Sequence, residues 1–244
     1  MKFEICIDSV EAAIAAQEAG AHRVELCDNL VEGGTTPSAG TARIARKSVG
    51  IDINFMIRPR GSDFYYSDLE FQVMKQDIQI AKDEGMNGVV LGLLLPDGRI
   101  DVERTQELVE LARPLSVTFH RAFDVSRDPF ESMAQLKKIG VNRILTGGHT
   151  FRAVDGLDCL AELVQKAGEQ IIILVCGGVN ASNVSAIVKA THPKEIHFAS
   201  RKNLDSPMTY RLPEIFMGAN YHPDEYSHKV TSADLIRKVI QAAG

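Results

Sequence analysis

The chain has 244 residues, of which 45% are hydrophobic and 24% charged, and its formal charge is −5 at pH 7. This is the composition of a globular protein with enough apolar residues for a core. The acidic balance argues against nucleic acid as a partner, because nucleic-acid binding needs concentrated positive charge. No apolar run approaches the length of about 18 residues that crosses a membrane, so we expect no membrane association.

The N-terminal segment and the cysteines indicate a reduced, cytoplasmic protein. Glu4 and Asp8 interrupt the segment that would have to be the apolar stretch of a signal peptide, and a strand pattern begins there instead. The four cysteines are too few and too scattered for a disulfide scaffold. They are Cys6, Cys27, Cys159 and Cys176.

Short apolar runs rich in β-branched residues predict eight strands. In chain order they are FEICID (3–8), HRVELC (22–27), DINFMIR (52–58), GVVLGL (88–93), SVTFHR (116–121), NRILTG (142–147), IIILVCGG (171–178) and EIHFAS (195–200). Segments of helical periodicity separate these runs, and a last one, SADLIRKVIQAAG, follows them. Glycines such as Gly20 and Gly85 stand where helices commonly stop, and Ser9, Asp101 and Asp128 are predicted N-caps.

The alternation of strands and helices predicts a single (β/α)8 TIM barrel over residues 1–244. Strands that alternate with helices pair in parallel through right-handed crossovers, and eight such units fit this chain length. An open doubly wound sheet is the alternative. It is disfavoured because IDSVEAA, not a glycine-rich dinucleotide turn, follows the first strand.

A long segment between the eighth strand and the last helix shows little periodicity. It runs from Arg201 to Val230, and in a compact barrel a loop of about 30 residues is usually a lid, a substrate wall or an oligomer contact. We favour a wall with some contact role. Arg211 lies in this segment and is a candidate to bring positive charge to the mouth of the barrel.

Ionisable side chains stand at the ends of several predicted strands. Strand alternation places Cys6 on one face with Glu4, and Glu25 on one face with Cys27. Arg58 ends the third predicted strand. Because TIM barrels bind ligands at the carboxyl ends of their strands, these positions are candidate site residues.

The polar set suits an enzyme acting on a small anionic ligand. In this hypothesis Arg58 and Arg60 hold a phosphate or carboxylate. Either His120 or Glu25 moves a proton, and Asp124 orients the base. An internal salt-bridge cluster is the structural alternative, in which Arg58 meets Glu25, Asp63 or a bound anion.

Further candidates for substrate binding lie in the loops that follow the later strands. Gly177 and Gly178 follow the seventh strand, where TIM barrels often bind a phosphate through backbone N–H groups. A tight turn that needs glycine for its backbone conformation alone is the structural alternative. Thr146 ends the sixth strand and belongs to the same candidate set.

Cys6 and Cys27 form a second candidate centre. They lie at or near the ends of neighbouring parallel strands, which are about 4.8 Å apart in a sheet, and alternation points them to the same side. Soft sulfur ligands favour Cu(I) over hard divalent ions, so a copper ion is a possible cofactor. A buried cysteine that serves only as a small apolar residue is the alternative.

Taken together, these motifs resemble those of the CutC family. The resemblance is carried by EICIDSVEAA, GAHRVELC, EGGTTPS, IRPRGSDFYYSD, VTFHRAFD, RILTGG and MTYR. It implies a (β/α)8 barrel, a cytoplasmic location and a homodimer or higher homo-oligomer. It also implies Cu(I) binding, because cysteines matching Cys6 and Cys27 are the proposed ligands in an animal relative. The chain departs from the family pattern at Ser62, Gly147 and Cys176.

Two hypotheses for the function remain open. The first, which the resemblance favours, is a copper homeostasis protein that binds Cu(I) through the paired cysteines. The second is a TIM-barrel lyase or isomerase acting on a small phosphate or carboxylate compound. Two thiols do not explain the two arginines or the pair of His120 and Asp124, so the residues alone favour the anion site.

Overall fold

The structure is a computed structural model and describes residues 1–218 and 224–244. Its first eight strands are parallel neighbours in chain order and close into a barrel, which confirms the predicted (β/α)8 fold. They are β1 (Lys2–Ile7), β2 (Arg23–Leu26), β3 (Asp52–Met56), β4 (Gly88–Leu91), β5 (Ser116–Phe119), β6 (Arg143–Thr146), β7 (Ile172–Val175) and β8 (Glu195–Phe198).

Eight α-helices alternate with these strands along the described chain. They are α1 (Val10–Glu18), α2 (Ala39–Ser48), α3 (Asp68–Asp83), α4 (Val102–Ala112), α5 (Pro129–Lys138), α6 (Leu157–Ala167), α7 (Val184–Thr191) and α8 (Ala233–Ala242). Short 3-10 helices cover Leu30–Glu32, Arg121–Val125 and Ala153–Asp155. None of the described helices combines the length and apolarity needed to cross a membrane.

Local sequence signals explain where several helices begin. Ser9 accepts a hydrogen bond from the Ala12 N–H, and Asp101 does the same for Arg104. Asp128 accepts from two backbone N–H groups at the start of α5. All three predicted N-caps are therefore confirmed, and each satisfies a donor that the first helical turn leaves free.

The barrel wall separates an apolar outer layer from a partly ionisable interior. On β1, Ile5 and Ile7 are fully buried in the large core between the strands and the helices. Glu4 and Cys6 alternate with them, and parallel pairing sets Glu4 beside Arg23 and Cys6 beside Glu25. This is the period-two alternation that the sequence predicts.

The segment after the eighth strand differs from the predicted loop. Two antiparallel strands, β9 (Arg201–Asp205) and β10 (Ser227–Thr231), pair at its two ends. Most of their residues are exposed or only half-buried. Such a ribbon satisfies backbone hydrogen bonds without burying an apolar face, so it leaves no alternating pattern in the sequence. The predicted long segment between the eighth strand and the last helix is present, and its two ends pair as this ribbon.

Candidate functional site

Two thiols and a carboxyl group meet at the ends of β1 and β2. The ligand atoms of Cys6, Glu25 and Cys27 all lie within 4.8 Å of one another. The Cys27 Sγ is 3.5 Å from Glu25 Oε2. Glu25 and Cys27 are buried, whereas Cys6 is half-buried and lines a cavity. The structure therefore brings together the two cysteines and the glutamate that alternation placed on one face.

Contacts within the cluster shift the pKa values of the three groups in different directions. A hydrogen bond from Cys27 lowers the pKa of the Cys6 thiol to about 5, against the opposing effect of burial. The same hydrogen bond, together with burial, raises the pKa of Cys27 well above its ordinary value. Burial also raises the pKa of Glu25. The site thus contains a thiolate at Cys6 beside a thiol and a carboxyl group whose pKa values are both raised.

His197 on β8 lines the same cavity and is a candidate site residue that the sequence analysis missed. Its Nδ1 lies 2.8 Å from Glu4 Oε1 and its Nε2 lies 3.8 Å from Glu25 Oε2. Burial acts to lower the pKa of this imidazole, but the charges and hydrogen bonds of Glu25, Cys6 and Glu4 raise it well above 6.5. Period-two alternation along EIHFAS places His197 inside the barrel, and that signal was available.

A buried ionic network supports His197 from the barrel interior. Arg23 bridges the carboxylates of Glu4 and Glu195. Arg143 Nε lies 2.9 Å from Glu195, and the Asn54 side-chain amide donates to Glu4 Oε2 at 3.0 Å.

The network also fixes the charge of Glu4. Burial acts to raise the pKa of Glu4, but hydrogen bonds and charges from His197 and Arg23 hold it at about 2. Glu4 is therefore a carboxylate whose two oxygens both have partners.

A cavity of about 670 Å³ opens above these groups. Cys6, Glu25 and His197 line it together with Arg58 and His120. Apolar side chains also contribute, including Met56, Phe64, Leu145 and Phe198. A volume of this size suits a small organic molecule, and a bare metal ion needs far less space.

Arg58 is a buried cation of this cavity that no described carboxylate pairs with. Its guanidinium donates to three backbone carbonyls, those of Glu32 at 2.7 Å, Gly34 at 2.9 Å and Ser62 at 2.9 Å. Its buried Nε has no hydrogen-bond partner among the described atoms. Arg58 therefore anchors the loops that follow β2 and β3 and leaves positive charge at the cavity.

Arg60 and Asp63 pair with each other and do not line the cavity. Arg60 Nη2 lies 3.1 Å from Asp63 Oδ1, and Arg60 Nε lies 2.6 Å from Glu70 Oε1. The remaining Arg60 donors reach the carbonyls of Gly61, Asp63 and Tyr65. Arg60 is fully used in shaping its own loop, so the structure does not place it as an anion ligand.

His120 follows β5 and is held as a neutral imidazole. Burial, helped by the charge of Arg58, lowers the pKa of His120 to about 3. Its Nδ1 accepts from the Ala122 N–H at 3.2 Å, and its ring lies 4.9 Å from that of Phe64. The buried Nε2 has no described partner. Gly92 leaves room for this ring, because a Cβ there would lie 2.5 Å from it.

Asp124 lines the cavity but does not orient His120. Its carboxylate accepts from Arg121 Nε at 2.6 Å, from the Gly147 N–H at 3.0 Å and from the His149 N–H at 3.2 Å. Thr146 also donates to it through its hydroxyl. The aspartate and Thr146 therefore fix the loop after β6, and the expected pair of His120 and Asp124 does not form.

The two glycines after β7 line the cavity, whereas Arg211 does not. Gly177 and Gly178 both have positive φ, at 98° and 66°, and α7 begins only at Val184. Arg211 is exposed; it donates to the carbonyls of Met208 and Ser206 and lies over the Tyr226 ring. The expectation that Arg211 adds charge to the mouth is therefore not met in the structure.

The fold and the site define a class of protein: a (β/α)8 barrel with a cluster of two thiols, a carboxyl group and an imidazole at the carboxyl ends of its strands. The chain matches the model of the CutC family over residues 1–202. It belongs to the CutC family.

Curated relatives agree with this assignment. A CutC family protein of Mesorhizobium japonicum is 46% identical over 241 residues, which cover 99% of this chain and 93% of that relative. A mouse (Mus musculus) protein named copper homeostasis protein cutC homolog is 44% identical and aligns with 96% of this chain and 86% of its own length.

Solved structures show the same fold. A CutC protein from Streptococcus agalactiae superposes with a TM-score of 0.78 and 36% identity, covering 81% of this chain and 98% of that one. Phosphoribosylanthranilate isomerase from Thermotoga maritima has a TM-score of 0.58 at 14% identity over 100% of this chain and 98% of that one. At this identity the second likeness concerns the barrel alone.

Proposed function

We propose that this CutC-family protein acts in copper homeostasis and binds Cu(I) through Cys6 and Cys27. The supporting observation is the arrangement at the ends of β1 and β2, where both sulfur atoms and Glu25 lie within 4.8 Å of one another. Soft thiolate ligands select Cu(I) over hard cations. Relatives named copper homeostasis protein support the same proposal.

The thiols differ in how ready they are to bind a metal. Cys6 lines the cavity and is already a thiolate, so it would receive the ion first. Cys27 must lose its proton, which makes copper binding release protons. The loop after β2 shields Cys27, because a Cβ on Gly34 would lie 3.1 Å from its sulfur. The ion would therefore arrive through the cavity.

The test is an anaerobic Cu(I) titration against a chromophoric chelator. Cys6→Ser and Cys27→Ser should each abolish stoichiometric binding, because each removes one of two sulfur ligands. Cys176→Ser is the matched control, since Cys176 is a buried thiol that lines the same cavity but is not among the clustered ligand groups. Unchanged copper binding by both Cys6→Ser and Cys27→Ser would refute the proposal.

A second candidate function is catalysis on a small anionic substrate, as in a lyase or isomerase. The observation that favours it is Arg58, a buried cation of a 670 Å³ cavity without a described carboxylate partner. In this proposal Arg58 holds a phosphate or carboxylate. The unpartnered Nε2 of His120, or the carboxyl group of Glu25 with its raised pKa, moves a proton.

Calorimetric titration with inorganic phosphate tests the second candidate. Arg58→Met should weaken phosphate binding by about 1.5–3 kcal/mol, the scale of a hydrogen bond to a charged group. Arg43→Met, which removes an exposed arginine paired with Glu84, should leave phosphate affinity unchanged. Absence of measurable phosphate or carboxylate affinity in the unmodified protein would speak against this candidate.

We also propose that the protein is cytoplasmic and self-associates as a homodimer or larger homo-oligomer. Cu(I) binding by free thiols requires a reducing compartment. Large exposed apolar side chains cluster in the segment between β9 and β10, and such patches often mark protein contacts. They include Met208, Tyr210, Leu212, Ile215 and Met217. Sedimentation equilibrium should show a lower association state for Met208→Ser/Tyr210→Ser, whereas an unmodified protein that is monomeric would exclude self-association.

A further inference from the structure

We infer that His197 is a third ligand of the ion bound by Cys6 and Cys27, and that Glu4 is the positioning residue for its imidazole. The inference rests on the proposed copper site. It extends that site from two sulfur ligands to three ligands, two sulfur atoms and one nitrogen atom. Borderline imidazole and soft thiolate together suit Cu(I), and the same donors also suit Zn²⁺ as a competing ion.

The first argument is the overlap of two ligand groups. The atoms of Cys6, Glu25 and Cys27 lie within 4.8 Å of one another, and so do those of Glu4, Glu25 and His197. Glu25 belongs to both groups, so the imidazole and the thiol pair lie beside the same carboxyl group. The imidazole also lines the same cavity as Cys6.

The second argument decides which nitrogen faces the ion. His197 Nδ1 lies 2.8 Å from Glu4 Oε1, a hydrogen-bond distance to a carboxylate. His197 Nε2 lies 3.8 Å from Glu25 Oε2, which is too long for a hydrogen bond. Glu4 thus engages Nδ1 and leaves Nε2 directed toward the cluster. A carboxylate behind a histidine in this way is the usual outer support of a metal-binding imidazole.

The third argument excludes Glu4 itself as a ligand. Its Oε1 accepts from His197, and its Oε2 accepts from Arg23 and from the Asn54 amide at 3.0 Å. Both oxygens are occupied by these donors. In the group of Glu4, Glu25 and His197, the imidazole is therefore the ligand whose Nε2 turns a lone pair toward the ion once its proton is displaced by the metal, and Glu4 fixes the orientation of the ring.

X-ray absorption at the copper edge of the unmodified, Cu(I)-loaded protein tests the inference without any substitution. We expect sulfur scatterers together with the outer-shell scattering that an imidazole ring produces. A spectrum with sulfur scatterers and no imidazole signature overturns the inference and leaves the proposed function standing. A spectrum without sulfur scatterers overturns both.

Substitutions measure the same inference through affinity. His197→Asn keeps an amide donor for Glu4 at the position of Nδ1 but removes Nε2, so the Cu(I) affinity should fall about 100-fold, and Glu4→Gln should lower it about tenfold. His228→Ala, an exposed histidine on β10, is the matched control and should bind copper normally. If His197→Asn folds and binds within twofold of the unmodified protein while Cys6→Ser does not bind, the inference fails alone.

Discussion

The interior of the barrel has two unlike sides. On the side formed by β8, β1 and β2, the inward residues are ionisable: Glu195, His197, Glu4, Cys6, Arg23, Glu25 and Cys27. On the side formed by β4 to β7 they are mostly small or apolar, and they include Gly88, Val90, Leu145, Leu174 and Cys176. Arg143 on β6 is an exception, and it reaches across to Glu195.

Two cysteines that line the same cavity show what this difference does. Cys6 accepts hydrogen bonds from Cys27 and His197, and its pKa is lowered to about 5. Cys176 packs against Leu145 and Leu174, and burial raises its pKa well above the ordinary value. Burial acts to raise the pKa of both thiols, so burial does not make a thiolate. Polar neighbours lower the pKa of the thiol, and only the side formed by β8, β1 and β2 supplies them.

The largest expected effect comes from breaking the ionic side. Arg23→Met leaves Glu4 and Glu195 without the guanidinium that bridges them, and loss of one partner in a buried ion pair costs about 3–5 kcal/mol. Urea denaturation should show this loss in the free energy of unfolding. Arg43→Met, which breaks an exposed pair with Glu84, should cost at most about 1 kcal/mol. Equal losses in the two variants would remove the distinction between buried and exposed pairs.

A pH profile of stability tests whether Glu4 contributes as a buried carboxylate. Its pKa in the folded protein is depressed from 4.5 to about 2, so its stabilising contribution is present above pH 4.5 and is lost as the pH falls toward 2. The contribution at neutral pH is about 3 kcal/mol. Unfolding free energies of the unmodified protein and of Glu4→Gln should converge across this window. A difference that stays constant from pH 6 to pH 2.5 would contradict the assignment.

A smaller loss is expected from overpacking near His120, above the apolar side. Gly92→Ala would place a Cβ 2.5 Å from the His120 ring and 3.0 Å from the Ala122 side chain. Because the buried ring must move, we expect a cost of about 1–3 kcal/mol in urea denaturation. Gly50→Ala is the control, since its Cβ would meet nothing closer than 3.7 Å and should change stability by at most about 0.5 kcal/mol.

The smallest expected effect is a difference of about tenfold between the alkylation rates of Cys6 and Cys176. At pH 6 iodoacetamide should modify Cys6 at least about tenfold faster than Cys176, because a thiolate is the nucleophile and its lower basicity offsets only part of that advantage. The Cys6 rate should be nearly constant from pH 6 to 8, whereas the Cys176 rate should rise with pH. Site-resolved mass spectrometry measures both. A Cys6 rate that rises tenfold per pH unit over this range would show an ordinary thiol.

Local sequence patterns were enough to predict the fold and the interior positions of some candidate site residues. The eight strand segments, the N-caps at Ser9, Asp101 and Asp128, and the closure into a barrel all followed from periodicity and chain order. Alternation also placed Cys6 and Glu25 on the interior of neighbouring strands, which the register confirms. His197 obeys the same rule on β8 and was missed because only the end of that strand was considered.

The partners of the charged side chains did not follow from the sequence. Arg58 and Arg60 stand two residues apart, yet only Arg58 lines the cavity. The guanidinium of Arg60 donates its hydrogen bonds to Glu70, Asp63 and nearby carbonyls. Asp124 lies four residues after His120 and instead accepts from the loop after β6. These hydrogen-bond partners depend on the conformation of the loops, and no periodic pattern of residues predicts that conformation.

The sequence by itself determined the barrel and the side of each strand that faces its interior, because both depend on local repeats of apolar and polar residues. Tertiary structure alone decided the charge states of the ionisable groups, such as the thiolate at Cys6. Those states depend on contacts between strands far apart in the chain, such as the one between Glu4 and His197, which are separated by 193 residues.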